Sequence, residues 1–295
     1  MNTPWGDFDV CDAHAHFFSR RFFDSLAAQA RSDSATIAER LGWRLPPEDP
    51  AELGRTWAAQ LDAHGVSQAT LIASVPGDES SVLAAAAASP GRFFAGAMVD
   101  PTASNATLTP GLKLVCLFPA MQRYSLHDTR VGQLLDQVAA QHCGVFVHCG
   151  VLTVGVRKKL GLPSLFDMRF SNPLDLHAIA LRYPQVRFIV PHFGAGFFRE
   201  ALMLADLCPN VYLDTSSSNS WMRYEELDLK TVFQRALAVA GAGRLLFGSD
   251  SSFFPRGWNR DVFEAQVNTL RDLGVNAGDA QRILGGNLRQ FFSEN

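Results

Sequence analysis

Eight short runs of apolar, β-prone residues recur along this chain, separated by segments whose apolar residues return every three to four positions, and that alternation leaves few architectures open. The runs are FDVCDAH from residue 8, ATLIAS from 69, RFFAGAMV from 92, LKLVCLF from 112, GVFVH from 144, VRFIV from 186, VYLDT from 211 and RLLFGSD from 244. Most are apolar at successive positions, as expected of parallel strands covered on both faces. The segments between them, such as PAELGRTWAAQLDAHG, VGQLLDQVAAQHCG and RDVFEAQVNTLRDLG, read as helices that stop at a Gly or Pro. The pattern predicts an α/β protein, a (β/α)8 TIM barrel, with a doubly wound open sheet as the alternative. Two stretches exceed what a barrel needs. Helical material at 20–45 is read as an insertion after strand 1 that forms a flap over one mouth. The 23 residues from 150 to 172 form a long loop after strand 5, read as a lid or binding loop. No repeat or linker divides the chain, so 1–295 is taken as one domain.

The charge balance narrows the partners. A formal charge of -3 offers no basic surplus to neutralise phosphates, so nucleic acid is not expected. No uncharged apolar stretch approaches the ~20 residues that span a bilayer, and the first residues lack a basic-then-apolar leader. The five cysteines are irregularly spaced and mostly sit in apolar runs, as reduced thiols do. The expectation is a cytoplasmic protein with a small-molecule substrate and no membrane partner. Base rates of assembly favour a homodimer.

Polar residues interrupt the apolar runs at one kind of place. His14 and His16 stand two apart on a strand and therefore share a face. His148 ends GVFVH, His192 follows RFIVP, and Asp250 closes RLLFGSD. In a barrel the C-terminal strand ends meet at one mouth, where active sites are built. Imidazoles and a carboxylate gathered there suit Zn²⁺ or a similar ion, Mn²⁺ included, and an ion would compensate a buried carboxylate. Asp12, two before His14, is expected on the same face, deeper in the barrel.

The ordered set formed by H-x-H after strand one, single histidines after strands five and six, and FGSD after strand eight resembles the amidohydrolase superfamily of metal-dependent barrels. HFGAG, GSDSSFFPRGW and GGNLRQFF are similar to its branch that includes aminocarboxymuconate-semialdehyde decarboxylase. The resemblance implies that His14, His16, His148 and Asp250 hold one divalent metal. It also implies that His192 is a catalytic histidine that orients or deprotonates water. Lys113 is not expected to bridge a second ion: four strand-like residues follow it, which places it roughly 13 to 16 Å below the rim.

Two reactions follow from such a site. In the first, metal-activated water attacks an ester, lactone or amide carbonyl, Asp250 relays the proton and His192 stabilises the oxyanion. In the second, which the resemblance implies, a small unsaturated or aromatic acid loses carbon dioxide without oxidation. The hydrolase reading needs no further residue and is placed first. Candidate substrate contacts are Arg157, Arg169 and Arg256 for a carboxylate and Phe17 and Trp258 for an apolar wall. Lys158, Lys159 and Arg123, and the aromatics Phe18, Phe253 and Phe254, lie in the same stretches.

Overall fold

The computed structural model describes residues 1–103, 107–152, 155–216 and 219–293. Eight parallel strands follow one another around a single sheet in chain order. They are β1 (Val10–Phe17), β2 (Val66–Ala73), β3 (Phe93–Met98), β4 (Leu114–Leu117), β5 (Gly144–Val147), β6 (Phe188–Val190), β7 (Val211–Asp214) and β8 (Leu245–Leu246). Backbone bonds then close β1 on the segment after β8: Ala13 N–H donates to Phe247 O at 2.8 Å, Asp250 N–H to His14 O at 2.9 Å and His16 N–H to Ser251 O at 2.6 Å. The sheet is therefore a barrel, and the open-sheet alternative is set aside.

Strand alternation sorts the apolar residues into two layers. Leu114 and Cys116 point inward with Phe146, Ile189 and Leu246. Val115 and Leu117 point outward against helical residues such as Leu134, Val138, Leu204 and Phe233. The helix Pro50–His64 shows how the local sequence sets an element's ends. The Asp49 side chain accepts from the N–H of Ala51, Pro50 needs no partner in the first turn, and Gly65 leaves the helix at a φ of 69°.

In β1 the alternation is broken. Asp12 pairs with Ala69 but Ala15 pairs with Leu71, so β1 carries one residue more than β2 across that interval. Cys11 and Ala13 face the barrel interior, Ala15 and Phe17 face the helices, and the His14 ring packs edge-on against inward-facing Phe146. Asp12 is thereby turned away from the histidines, contrary to the expectation of a shared face. Its carboxylate accepts from His14 N–H at 2.9 Å, Ser249 N–H at 3.0 Å, the Ser249 hydroxyl and Trp258 Nε1 at 2.8 Å.

The foot of the barrel is closed by the last helix, Asn287–Phe292, whose Leu288 and Phe291 join the inner layer. A Cβ at Gly144 would collide with the Phe291 ring, which explains a glycine at the start of β5. Lys113 lies at this end, beside His142, Phe291 and Phe292, far from the histidines as its strand position predicts. At the opposite mouth the insertion after β1 forms two helices, Arg20–Ala30 and Ser34–Leu41. Their Phe22, Leu26 and Ile37 share an apolar cluster with Val156 and Leu160 of the long loop, which contains a short helix, Gly155–Lys159. No helix among the described residues is long and apolar enough to cross a membrane.

Burial pushes the Asp12 carboxyl up to about 6, against the pull of its four donors. A carboxyl that holds its proton more tightly in the fold than in the unfolded chain contributes most to stability below about pH 4, and that contribution is lost as pH rises through about 6. A shift of about two units corresponds to about 3 kcal/mol. Asp12→Asn does not titrate. The excess of wild-type over variant unfolding free energy should therefore shrink by about 3 kcal/mol between roughly pH 4 and pH 7. Urea midpoints at the two pH values check this, and a pH-independent difference contradicts it.

Candidate active site

His14 and His16 reach the upper mouth of the barrel from β1, and Asp250 meets them from the turn after β8. His16 Nε2 lies 3.3 Å from His14 Nε2 and 3.2 Å from Asp250 Oδ1, and His14 Nε2 lies 3.7 Å from the same oxygen. The outward nitrogens explain why these atoms converge. The Ser74 hydroxyl has one proton and directs it at Ile72 O at 3.0 Å, so at 2.7 Å it accepts from His16 Nδ1–H. His16 Nε2 is left with a lone pair, and burial lowers this imidazole's pKa and keeps it neutral. His14 Nδ1–H donates to Asp214 Oδ2 at 2.7 Å. Burial works to lower the His14 pKa, but the neighbouring carboxylates, Asp214 foremost and Asp250 and Asp12 with it, together outweigh burial and make His14 the more basic of the pair.

Asp250 is held below the usual carboxylate range: burial raises it, and the surrounding imidazoles outweigh burial. Two imidazole nitrogens and a carboxylate oxygen thus face one another with too few protons to satisfy them. Ligand bonds of about 2.1 Å in a tetrahedron put neighbouring donor atoms about 3.4 Å apart. The three observed separations bracket that value. Among the described residues, His14, His16 and Asp250 form the cluster able to hold a metal ion.

His148, expected as the fourth ligand, stands outside that compact cluster but on the same cavity. Its ring lies 5.5 Å from His192 and 5.4 Å from Phe118, and its buried Nδ1 has no hydrogen-bond partner among the described residues. Burial lowers its pKa well below the ordinary histidine value. An imidazole with an orphaned nitrogen at a polar cavity wall suits a cation site better than a packed core. The loop that follows His148 packs on the loop that carries His192. Gly150, at a φ of 77°, permits this, because a Cβ there would strike the carbonyls of Gly194 and Ala195.

His192 sits in the left-handed region at a φ of 53° and Asp250 at 56°, costly conformations for residues with side chains. Ser216 O, which can only accept, lies 3.1 Å from His192 Nδ1 and fixes the proton on that nitrogen. Burial lowers the His192 pKa, so at neutral pH its Nε2 is an acceptor. The Ser216 hydroxyl lies 3.0 Å from the Nδ1 atoms of both His192 and His14 and ties the two rings together.

A cavity of about 350 Å³ opens above these groups. His16, His148, His192 and Asp250 form its polar floor, and Phe18, Phe22, Trp43, Phe118, Met121 and Phe253 form much of its wall. Several expected substrate contacts are elsewhere. Phe17 is fully buried on the helix side of β1, and the next residue, Phe18, lines the cavity instead. Trp258 is buried with its N–H committed to Asp12. Arg169 pairs with Asp167 at 2.6 Å on the surface. Arg157 donates to Pro163 O at 3.0 Å and to Gln29 Oε1 at 2.7 Å, clasping the long loop to the insertion. Arg256 donates to Asp250 O and Ser252 Oγ, both at 3.0 Å, with its guanidinium 4.6 Å from the Phe253 ring centre. It braces the rim through three residues that line the cavity.

Asp214, Ser216 and Ser74 were not anticipated. An acid at the end of VYLDT is the one signal that could have found the first of them.

The sequence model of a family described as amidohydrolase matches residues 11–293. Among curated proteins, the chain is 33% identical over 85 residues to protein fluG of Emericella nidulans, which covers 29% of this chain and 10% of that protein. The chain thus spans about a tenth of that relative's length. Among solved structures, 5-carboxyvanillate decarboxylase of Novosphingobium aromaticivorans, complexed with manganese and 4-hydroxy-3-methoxy-5-nitrobenzoic acid, is similar at a TM-score of 0.63 with 15% identity, over 97% of this chain and 96% of that one. A Pseudomonas putida protein provisionally assigned as a 2-pyrone-4,6-dicarboxylic acid hydrolase matches at 0.59 with 22% identity, over 97% and 98% of the two chains.

The bond from His14 to Asp214 generates a test. Asp214→Asn keeps the shape but removes the charge that makes His14 basic, so zinc affinity measured against a competing chelator should fall by about 10- to 100-fold. His16→Ala should weaken it further. Unchanged affinity in both variants would remove the cation site from this cluster.

Proposed function

The chain belongs to the amidohydrolase family, and from that premise we propose that it is a metal-dependent hydrolase of an ester, lactone or amide bond in a small, mostly apolar substrate. The placement of Asp250 carries this reading. Its carboxylate touches the histidine cluster, yet its side chain is 27% exposed toward the cavity while that of His14 is 1% exposed. One group can therefore serve both the ion and a reacting water.

His14, His16 and Asp250 would hold one divalent ion, zinc or manganese, with His148 drawn in from the cavity wall as the fourth ligand. Bound there, the ion would polarise a carbonyl oxygen and make water nucleophilic at neutral pH. Asp250 accepts the proton of the attacking water and, being a weak base, gives it up readily. His192 keeps that proton on Nε2 and returns it to the leaving group. This role differs from the oxyanion contact expected from the sequence, because a neutral His192 with its proton directed at Ser216 has nothing to donate until it has been protonated.

A second reading, non-oxidative decarboxylation of an aromatic or unsaturated acid, is favoured by the wall of Phe18, Phe22, Trp43, Phe118 and Phe253. Flat side chains in a cavity of this size suit a planar ring. In that case His192, first protonated from solvent, supplies that proton to the ring or vinyl carbon as its bond to the carboxylate breaks and carbon dioxide leaves.

Turnover of a panel of aryl esters, lactones and aromatic acids in ¹⁸O-water separates the two. One labelled oxygen per product identifies hydrolysis, whereas carbon dioxide release without incorporation identifies decarboxylation. His192→Ala should lower kcat by about 10²-fold or more in either case while metal stays bound. A fully active variant would remove His192 from the chemistry.

A further inference from the structure

The wall of the cavity contains one positively charged side chain among the described residues, Lys159, at the end of the short helix in the long loop. Among the described residues no ion pair or hydrogen bond holds its ammonium group; its neighbour Lys158 is equally unpaired but does not line the cavity, whereas the arginines of the region are engaged. Arg157 is spent on Pro163 and Gln29, Arg169 on Asp167, Arg256 on Asp250 and Ser252, and Arg123 on Leu165 O at 2.6 Å. The helix that carries Lys159 is fixed against the insertion by the Arg157–Gln29 bond and by Val156 and Leu160 in the cluster with Phe22 and Leu26. Lys159 is therefore a cation without a partner among the described residues, on a positioned support, lining a chamber whose walls are largely aromatic and whose floor is the histidine–Asp250 cluster.

From this charge count we infer that Lys159 is the specificity-determining residue for a substrate that bears one carboxylate away from the reacting bond. The inference rests on the metal-dependent reading above but not on which of its two reactions occurs. The ion and Asp250 occupy the reacting end in both. Lys159 takes the carboxylate at the other end through a charge-assisted hydrogen bond, and the rings of Phe18, Trp43 and Phe118 enclose the body between them. A second remote carboxylate would be desolvated against those rings with no cation to pair it, which disfavours polyacids. An uncharged analogue would leave Lys159 unpaired and bind less well.

Two rigid probes differ only at the remote end: 4-carboxybenzohydroxamate and 4-carbamoylbenzohydroxamate, whose hydroxamate chelates an ion. Their affinities for the zinc-loaded protein are measured by titration calorimetry with wild type, Lys159→Met and Lys159→Arg. The wild type should prefer the carboxylate probe by about tenfold, the size of one charge-assisted hydrogen bond at an exposed site. Lys159→Met should bind the two equally and Lys159→Arg should restore most of the preference, with unchanged melting temperatures because Lys159 is exposed. If the wild type binds both probes equally well, the metal site stands and Lys159 does not select the substrate. A preference that survives in Lys159→Met assigns it to another group and likewise overturns the inference. If neither probe binds, the metal reading fails and takes this inference with it.

Discussion

The Asp12 carboxylate is the knot on which the rest of the barrel depends. The last strand, Leu245–Leu246, is two residues long, too short to seal a barrel by ladder bonds alone. Closure instead depends on the irregular segment after it, and that segment is held by its Ser249 and by Trp258, both of which donate to Asp12. A buried carboxylate with four donors is costly to break from either side, because removing one partner strands the others. The same seam positions the chemistry. His14 and His16 on one edge and Asp250 on the other are separated only by the bonds that shut the sheet, so sealing the fold and assembling the candidate metal site are one event.

Beyond that seam, the site is a set of proton assignments. Ser74, Asp214 and Ser216 each engage an Nδ1 atom, and in doing so direct the Nε2 atoms of His16, His14 and His192 toward the reacting space. Asp214 and Ser216 stand behind the cavity and Ser74 at its wall, and each decides what an imidazole can do. The backbone strain at His192 and Asp250 belongs to the same arrangement: both side chains are delivered from tight turns into positions that a relaxed strand end would not reach.

The strand count, the parallel order and the gathering of His14, His16, His148, His192 and Asp250 at one mouth were legible in the sequence. Apolar runs and strand-end polarity are local signals, and the barrel brings strand ends together whatever the loops do. Directions within a strand were legible only where alternation is regular. The extra residue in β1 sent Asp12 toward Trp258 and away from the histidines, and no local pattern announces a bulge. Phe17 and Trp258 were misplaced for a related reason: an aromatic beside a mouth can face the helices as easily as the cavity, and one step along the chain separates Phe17 from Phe18. Arg157 and Arg256 were unreadable because their partners, Gln29 and Asp250 O, depend on tertiary packing, whereas the partner of Arg169, Asp167, stands two residues before it in the sequence. Asp214 ends a strand as the other site residues do, but its role follows from distance to His14, which spacing in sequence does not encode.

The chain order of the seam has a consequence for how the protein is made. Asp12 and Ser249 are 237 residues apart, and the helix that plugs the barrel's foot comes later still. While the chain leaves the ribosome, β1 can pair with β2 early, yet its other edge stays unmatched until the segment after β8 has been synthesised. Such distant closure makes folding slow to complete. Through that interval His14 and His16 are already present on a strand edge, but Asp250 is not, so the nascent protein has only part of its ion-binding set. Ion binding by the complete candidate set would in this way wait for residue 250, and a truncated product that ends before it lacks both the seal and the complete candidate site.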